Sequence, residues 1–147
     1  MNRNIRFHQK PQSLRKISLL SLRNALKQIA ARHNLKIKSL EYVFLTDEEL
    51  LKMNQDYLQH NTYTDIITFD LSDNTHQLEG EIYISWERVK DNAKKYNTTE
   101  TQEMLRVLFH GLLHLCGLKD KSKTDAHKMR LAEEECIALY HQITTTP

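Results

Sequence analysis

The segment Thr99–Gly117 constrains the fold more than any other part of the chain. Thr99 with Gln102 makes a capping box that opens a helix, and Gly117 permits the left-handed turn that ends it. Between them Met104, Leu105, Val107, Leu108, Phe109, Leu112, Leu113 and Leu115 leave almost no polar face. A helix that is apolar nearly all round belongs at the centre of a domain. This one falls short of the roughly 20 apolar residues that would span a bilayer, and no longer apolar run exists.

Strands and further helices must cover that helix. Asn4–His8 alternates like a short strand, with Ile5 and Phe7 on one face. After Pro11, Ser13 can cap a helix whose apolar set includes Leu14, Ile17, Leu20, Leu26, Ile29 and Ala30. Lys36–Leu45 reads as a strand, and Thr46 with Glu49 boxes a helix running to about Leu58. Asp65–Leu71 and Gly80–Ser85 read as paired strands, and Ser85 caps a helix to about Tyr96. A final helix covers roughly Thr124–Ile143. The order β-α-β-α-β-β-α-α-α predicts an α+β fold, a small mixed sheet of about four strands covered by helices. With 147 residues, no repeats and no Gly/Ser linker, residues 1–147 are expected to form one domain.

Composition narrows the class. Hydrophobic residues are 39% and charged residues 27%, with three Gly and two Pro, which excludes collagen-like, linker-rich and disordered chains. The N-terminus is polar and basic, without the apolar core of a signal peptide. Two cysteines, Cys116 and Cys136, make no disulfide framework, so a reducing cytoplasm is expected and no membrane. The net charge of +2 hides an asymmetry. Residues 1–40 hold ten Lys or Arg and no acid, while the remaining 107 hold 11 basic and 19 acidic side chains. Such a segment reads as a phosphate-facing surface, or else as a solvated face beside an acidic body. On the helix expected after Pro11, Lys16, Arg23 and Lys27 fall within roughly 40° of one another.

Eight histidines are many for this length, and two stand out. His110 and His114 lie at i and i+4, one turn apart on one helix face, where two nitrogens can share one metal ion. Chance alone would supply about 0.4 such pairs. The context adds weight, because two imidazoles at the end of so apolar a helix need partners. Asp120, just past the Gly117 turn, can offer a carboxylate; two His, one Asp and water make an open site. The alternative is a pair of core histidines bonded to carbonyls, with Asp120 in a turn. Asp125 and His127 are rival third ligands on the next helix. Gly111 after His110 excludes the general-base Glu of an H-E-x-x-H peptidase, and Glu103 is given no role.

The residues His110-Gly-Leu-Leu-His114-Leu-Cys-Gly117 resemble the H-G-x-L-H-L-x-G-y-D-H signature of the YbeY family of bacterial endoribonucleases. A second block, N-x-x-Y-R then P-T-D-V-L-S-F, is similar to Asn54-Gln-Asp-Tyr57-Leu58 and Tyr63-Thr-Asp-Ile-Ile-Thr-Phe69. A third, G-D-I-x-I-S, is similar to Gly80-Glu-Ile-Tyr-Ile-Ser85. The resemblance covers roughly residues 40–135. It implies a zinc-dependent endoribonuclease specific for single-stranded RNA, acting in rRNA processing at the 16S 3′ end and in ribosome maturation and quality control. One Zn2+ per chain would sit on His110, His114 and Asp120, with RNA and the small ribosomal subunit as partners. Two departures stand out. Asp120 occupies the place of the family's third His, and Leu58 that of an Arg associated with cleavage. His60, or Lys119, Lys121 and Lys123, can replace that cation.

The resemblance leaves the catalytic group as a zinc-bound water, with attack by that water rather than by the ribose 2′-OH as the reading adopted. It points to Thr64 and Asp65, with His60 as a replacement cation, as substrate-binding residues, and the charge pattern of the N-terminal segment adds Lys16, Arg23 and Lys27. The competing readings are a metal-stabilised RNA- or ribosome-binding factor without strong nuclease activity, and a zinc peptidase. Trp86 and the six Tyr can stack bases or anchor packing. Cys116 reads as a buried thiol, and His8, His33, His76 and His141 as surface or capping groups.

Overall fold

Alternation of buried and exposed side chains defines the strands. In the computed structural model, which describes residues 4–60 and 62–146, one sheet joins β1 (Ile5–His8), β2 (Lys36–Leu45), β3 (Ile66–Asp70) and β4 (Gln77–Ser85). The order is β1-β2-β4-β3. β2 pairs parallel with β1 and β4, whereas β3 runs antiparallel to β4, so the sheet is mixed and the fold α+β. On β4, Leu78, Gly80, Ile82 and Ile84 are buried at every second position, the period of a strand with one covered face. On β2 the buried positions are Ile37, then Leu40, Tyr42 and Phe44. The register irregularity between Ile37 and Ser39 supplies the extra residue that shifts the phase.

Among the described residues five helices cover the sheet: α1 (Leu19–Arg32), α2 (Asp47–Leu58), α3 (Trp86–Lys95), α4 (Glu100–Leu115) and α5 (Lys123–Thr145). Each opens on a hydroxyl that accepts a backbone N–H, from Ser18, Thr46, Ser85, Thr99 and Ser122 in turn. Thr46 and Glu49 complete the expected capping box. The element at the centre is α4. Its Met104, Leu105, Val107, Leu108, Phe109 and Leu112 are fully buried, and it packs on β3, β4 and the other helices around it. The Tyr42 hydroxyl of β2 donates to the Leu108 carbonyl at 2.8 Å. No described helix is long and apolar enough to cross a membrane.

The N-terminal helix departs from expectation. Pro11 leads into a short 3-10 turn (Gln12–Leu14), and α1 begins only at Leu19, capped by Ser18 instead of Ser13. The Ser18 N–H donates to the Tyr140 hydroxyl of α5 at 2.9 Å, which fixes where the chain enters the helix. The break resets the helical phase. Leu14 and Ile17 remain buried, but Leu20 is 66% exposed while Leu22 and Ala25 join the core. Lys16 therefore lies outside α1 and shares no helical stripe with Arg23 and Lys27. Elsewhere the differences are small: β4 starts at Gln77 rather than Gly80, and α5 starts one residue early.

Candidate metal centre

The two histidines project from the last turns of α4, and the chain then reverses over them. Gly117, at φ +103°, makes the reversal available without a Cβ penalty. The Leu118 N–H donates to Leu113 O at 3.0 Å and the Gly117 N–H to His114 O at 2.9 Å, closing the helix end. That turn carries the Leu118 carbonyl to 3.0 Å from His114 Nδ1 and brings Asp120 across the helix. Asp120 Oδ2 lies 3.3 Å from Nε2 of both His110 and His114. The candidate donor atoms of these three residues all lie within 4.8 Å of one another. Neither Asp125, in the first turn of α5, nor the exposed His127 joins this cluster.

Each histidine is held through its other nitrogen. A carbonyl oxygen only accepts, so His114 donates its Nδ1–H to Leu118 and turns its Nε2 lone pair toward Asp120. His110 Nδ1 meets Glu133 Oε2 of α5 at 2.5 Å, which likewise aims Nε2 inward. The rings stand nearly perpendicular, at 82° with centroids 4.6 Å apart. Two pinned imidazoles and one carboxylate, on the 35%-exposed Asp120, could hold a divalent metal ion.

Glu133 belongs to a larger ionic cluster. Arg106, one turn before His110, donates to Glu103 at 2.7 Å, reaches Glu133 at 3.4 Å and approaches Asp65 at 3.5 Å. Burial alone would lower the Arg106 pKa, but the Glu103 hydrogen bond and the charges of Glu103, Glu133 and Asp65 prevail and raise it. One cation thus ties α4 to α5 and to the start of β3. Glu133 is the residue that spacing missed. Its only signal was a carboxylate among the buried α5 positions Met129, Cys136, Ile137 and Tyr140, where burial demands a partner.

Two glycines let the sheet approach this helix end. A Cβ on Gly111 would meet Ile66 Cδ1 and Ile82 Cγ2 at 2.9 Å, and one on Gly80 would meet Leu115 Cδ1 at 2.7 Å. The Asp65 backbone carbonyl accepts from Ser85 N at 3.0 Å, and the Thr64 hydroxyl donates to the Ile66 carbonyl at 3.3 Å, so both shape the edge beside α4. Leu58 ends α2, 42% exposed, followed by Gln59 at φ +57° and the exposed His60. Arg23 donates to the Ile5 carbonyl at 3.0 Å and stacks on Phe7, which makes it an internal clip. Lys16 is exposed on the turn before α1, and Lys27 half-buried on α1. Cys116 is half-buried, and burial pushes its thiol up to about 12.

Known proteins share this arrangement of chain and sheet. The family model for Endoribonuclease YbeY matches residues 3–141. An Endoribonuclease YbeY of Christiangramia forsetii is 48% identical over 121 residues, covering 81% of this chain and 82% of its own. That of Porphyromonas gingivalis is 39% identical over 138 residues, covering 94% and 91%. A Thermotoga maritima protein solved in solution superimposes with a TM-score of 0.63 at 27% identity, covering 94% of this chain and 92% of its own. Sequence and fold agree from β1 to α5: the chain belongs to the YbeY family of endoribonucleases.

Proposed function

We propose that this chain, as one domain over residues 1–147, is a zinc-dependent endoribonuclease acting on single-stranded RNA. It would serve rRNA processing, at the 16S 3′ end, and ribosome maturation and quality control in the cytoplasm. Membership of an endoribonuclease family makes it an enzyme that cuts RNA internally. The observation that carries the metal assignment is the pair of inward Nε2 atoms, each held from behind, with Asp120 Oδ2 3.3 Å from both. Imidazole and carboxylate ligands suit Zn2+. When bound, such an ion polarises a phosphodiester oxygen and lowers the pKa of a water molecule. His110, His114 and Asp120 hold it; Glu133 and the Leu118 carbonyl keep the imidazoles oriented. The exposed Lys119 and Lys121 flank Asp120 and meet substrate phosphates, with Thr64, Asp65 and His60 nearer the β3 side.

Leu58 supports a second reading. No guanidinium stands at that position, and Arg106 is engaged by three carboxylates, so a metal-stabilised RNA- or ribosome-binding factor fits the same centre. Gly111, packed on Ile66 and Ile82, disfavours a peptidase. Metal analysis and cleavage of an end-labelled single-stranded RNA separate these. The nuclease reading expects about one equivalent of metal per chain. It also expects cleavage abolished by EDTA and restored by Zn2+, and metal lost in His114→Ala and in Asp120→Ala. Full metal occupancy with intact RNA overturns it in favour of the binding factor.

A further inference from the structure

A second surface with chemistry lies at the other end of α4. A groove of about 890 Å³ opens between the chain around Pro11–Lys16, the start of α3 and the first residues of α4. Thr101, on its wall, and His110 are nine positions apart on α4, a separation on the order of 14 Å along the helix axis. The groove is therefore not the metal centre.

Its lining is cationic. Lys10, Arg15 and Lys16 come from the N-terminal segment and Lys90 from α3, all exposed, with Glu100 the one acidic residue facing them. None of the four makes an ion pair among the described residues. That separates them from three other cations of the same segment. Arg6 is paired with Glu41, Lys38 with Glu79, and Arg23 is spent on the Ile5 carbonyl and the Phe7 ring. On the same wall is Trp86, half-buried, packed against the core and bordering the groove. The Ser13 hydroxyl, also on the lining, is buried without a hydrogen-bond partner among the described residues.

Unneutralised cations beside an indole are what a single nucleic-acid strand requires, since phosphates take the charges and a base takes the ring face. A membrane surface would call for exposed large apolar side chains. The exposed ones among the described residues, Leu20, Tyr57, Leu58, Tyr63, Leu71, Tyr96 and Leu131, all lie outside the groove.

We propose that this groove is a second seat for single-stranded RNA, in which Lys10, Arg15, Lys16 and Lys90 contact phosphates and Trp86 stacks one base. It rests on the endoribonuclease reading for the nature of its ligand, and it holds a part of the strand distant from the cut. Neutralising about four phosphates contributes a salt slope of about −2.8, so this seat's affinity falls about 50-fold between 50 and 200 mM salt.

Trp86 is the only tryptophan of the chain, so intrinsic fluorescence reports the groove directly. The probe is a cleavage-resistant oligouridine of about ten nucleotides, with phosphorothioate links and 2′-O-methyl riboses, titrated into the full-length protein. The expected result is a saturable change in Trp86 emission, also present in His110→Ala. Lys16→Glu combined with Lys90→Glu, both at exposed unpaired positions, should abolish that change and weaken binding at least tenfold. It should also make the salt slope shallower by about 1.4. Binding without any change in Trp86 emission, or equal affinity and slope in the double variant, overturns the proposal. Failure of the nuclease reading shows elsewhere, as metal-loaded wild-type protein that leaves labelled RNA whole.

Discussion

Glu133→Ala tests whether the carboxylate behind the ligands, and not the ligands alone, sets the metal affinity of the centre. The side chain is 6% exposed and meets His110 Nδ1 at 2.5 Å, so its removal leaves that N–H without a partner. Nothing then fixes the ring, and the Nε2 lone pair no longer points at Asp120. Loss of such an outer partner typically weakens metal binding by about 10- to 100-fold, or ~1.4–2.7 kcal/mol. Stability should move less. Arg106 reaches Glu133 only at 3.4 Å and keeps Glu103 at 2.7 Å, and removing one of three carboxylates around one guanidinium relieves repulsion. Those opposing effects leave about 1 kcal/mol or less in denaturant unfolding with EDTA present. Glu133→Gln keeps an acceptor oxygen within reach of Nδ1–H and should cost under about tenfold in affinity. Competition against a chromogenic zinc chelator measures all three proteins. If Glu133→Ala holds metal as tightly as wild type while His114→Ala does not, the orienting argument is refuted.

Gly111→Ala sets two known quantities against each other. Alanine gains about 1 kcal/mol of helix propensity, whereas its Cβ would sit 2.9 Å from Ile66 Cδ1 and Ile82 Cγ2, an overpacking typically costing about 1–3 kcal/mol. The variant should be less stable by up to about 2 kcal/mol in urea and weaker in metal binding, since α4 must lift from the sheet; a more stable variant would show that both Ile side chains yield freely. Cys136 offers a pH test. Burial is the main cause that pushes its thiol up to about 12, so at pH 8.5 the native protein should react with iodoacetamide over a hundredfold more slowly than the urea-unfolded chain. Because the folded state keeps that proton longer, its stabilising contribution is complete below about pH 9 and is lost as pH rises toward 12. Urea midpoints that stay level across that interval would contradict the assignment.

What could be read along the chain and what could not divide by the kind of contact involved. His110, His114 and Asp120 are held together by one helix end and one glycine turn, so i,i+4 spacing and the Gly117 stop suffice to predict their meeting. Glu133 stands 23 residues beyond His110 and reaches it only because α5 packs back along α4. No spacing rule encodes that, although a carboxylate on an apolar stripe signals a debt of polar partners. The basic N-terminal stripe failed for another reason. Periodicity assumed an unbroken helix from Ser13, and the stop between Leu14 and Leu19 moved Lys16 off the face that Arg23 and Lys27 were to share with it. Charge counting was blind to a further point, namely which cations the fold itself consumes. Arg6, Arg23 and Lys38 are taken up by Glu41, the Ile5 carbonyl and Glu79, while Lys10, Arg15 and Lys16 are left facing Lys90 across open space. A run of like charge therefore locates a binding surface only after internal pairing has been subtracted, and here three of the cations left over, Lys10, Arg15 and Lys16, meet at the groove beside Trp86.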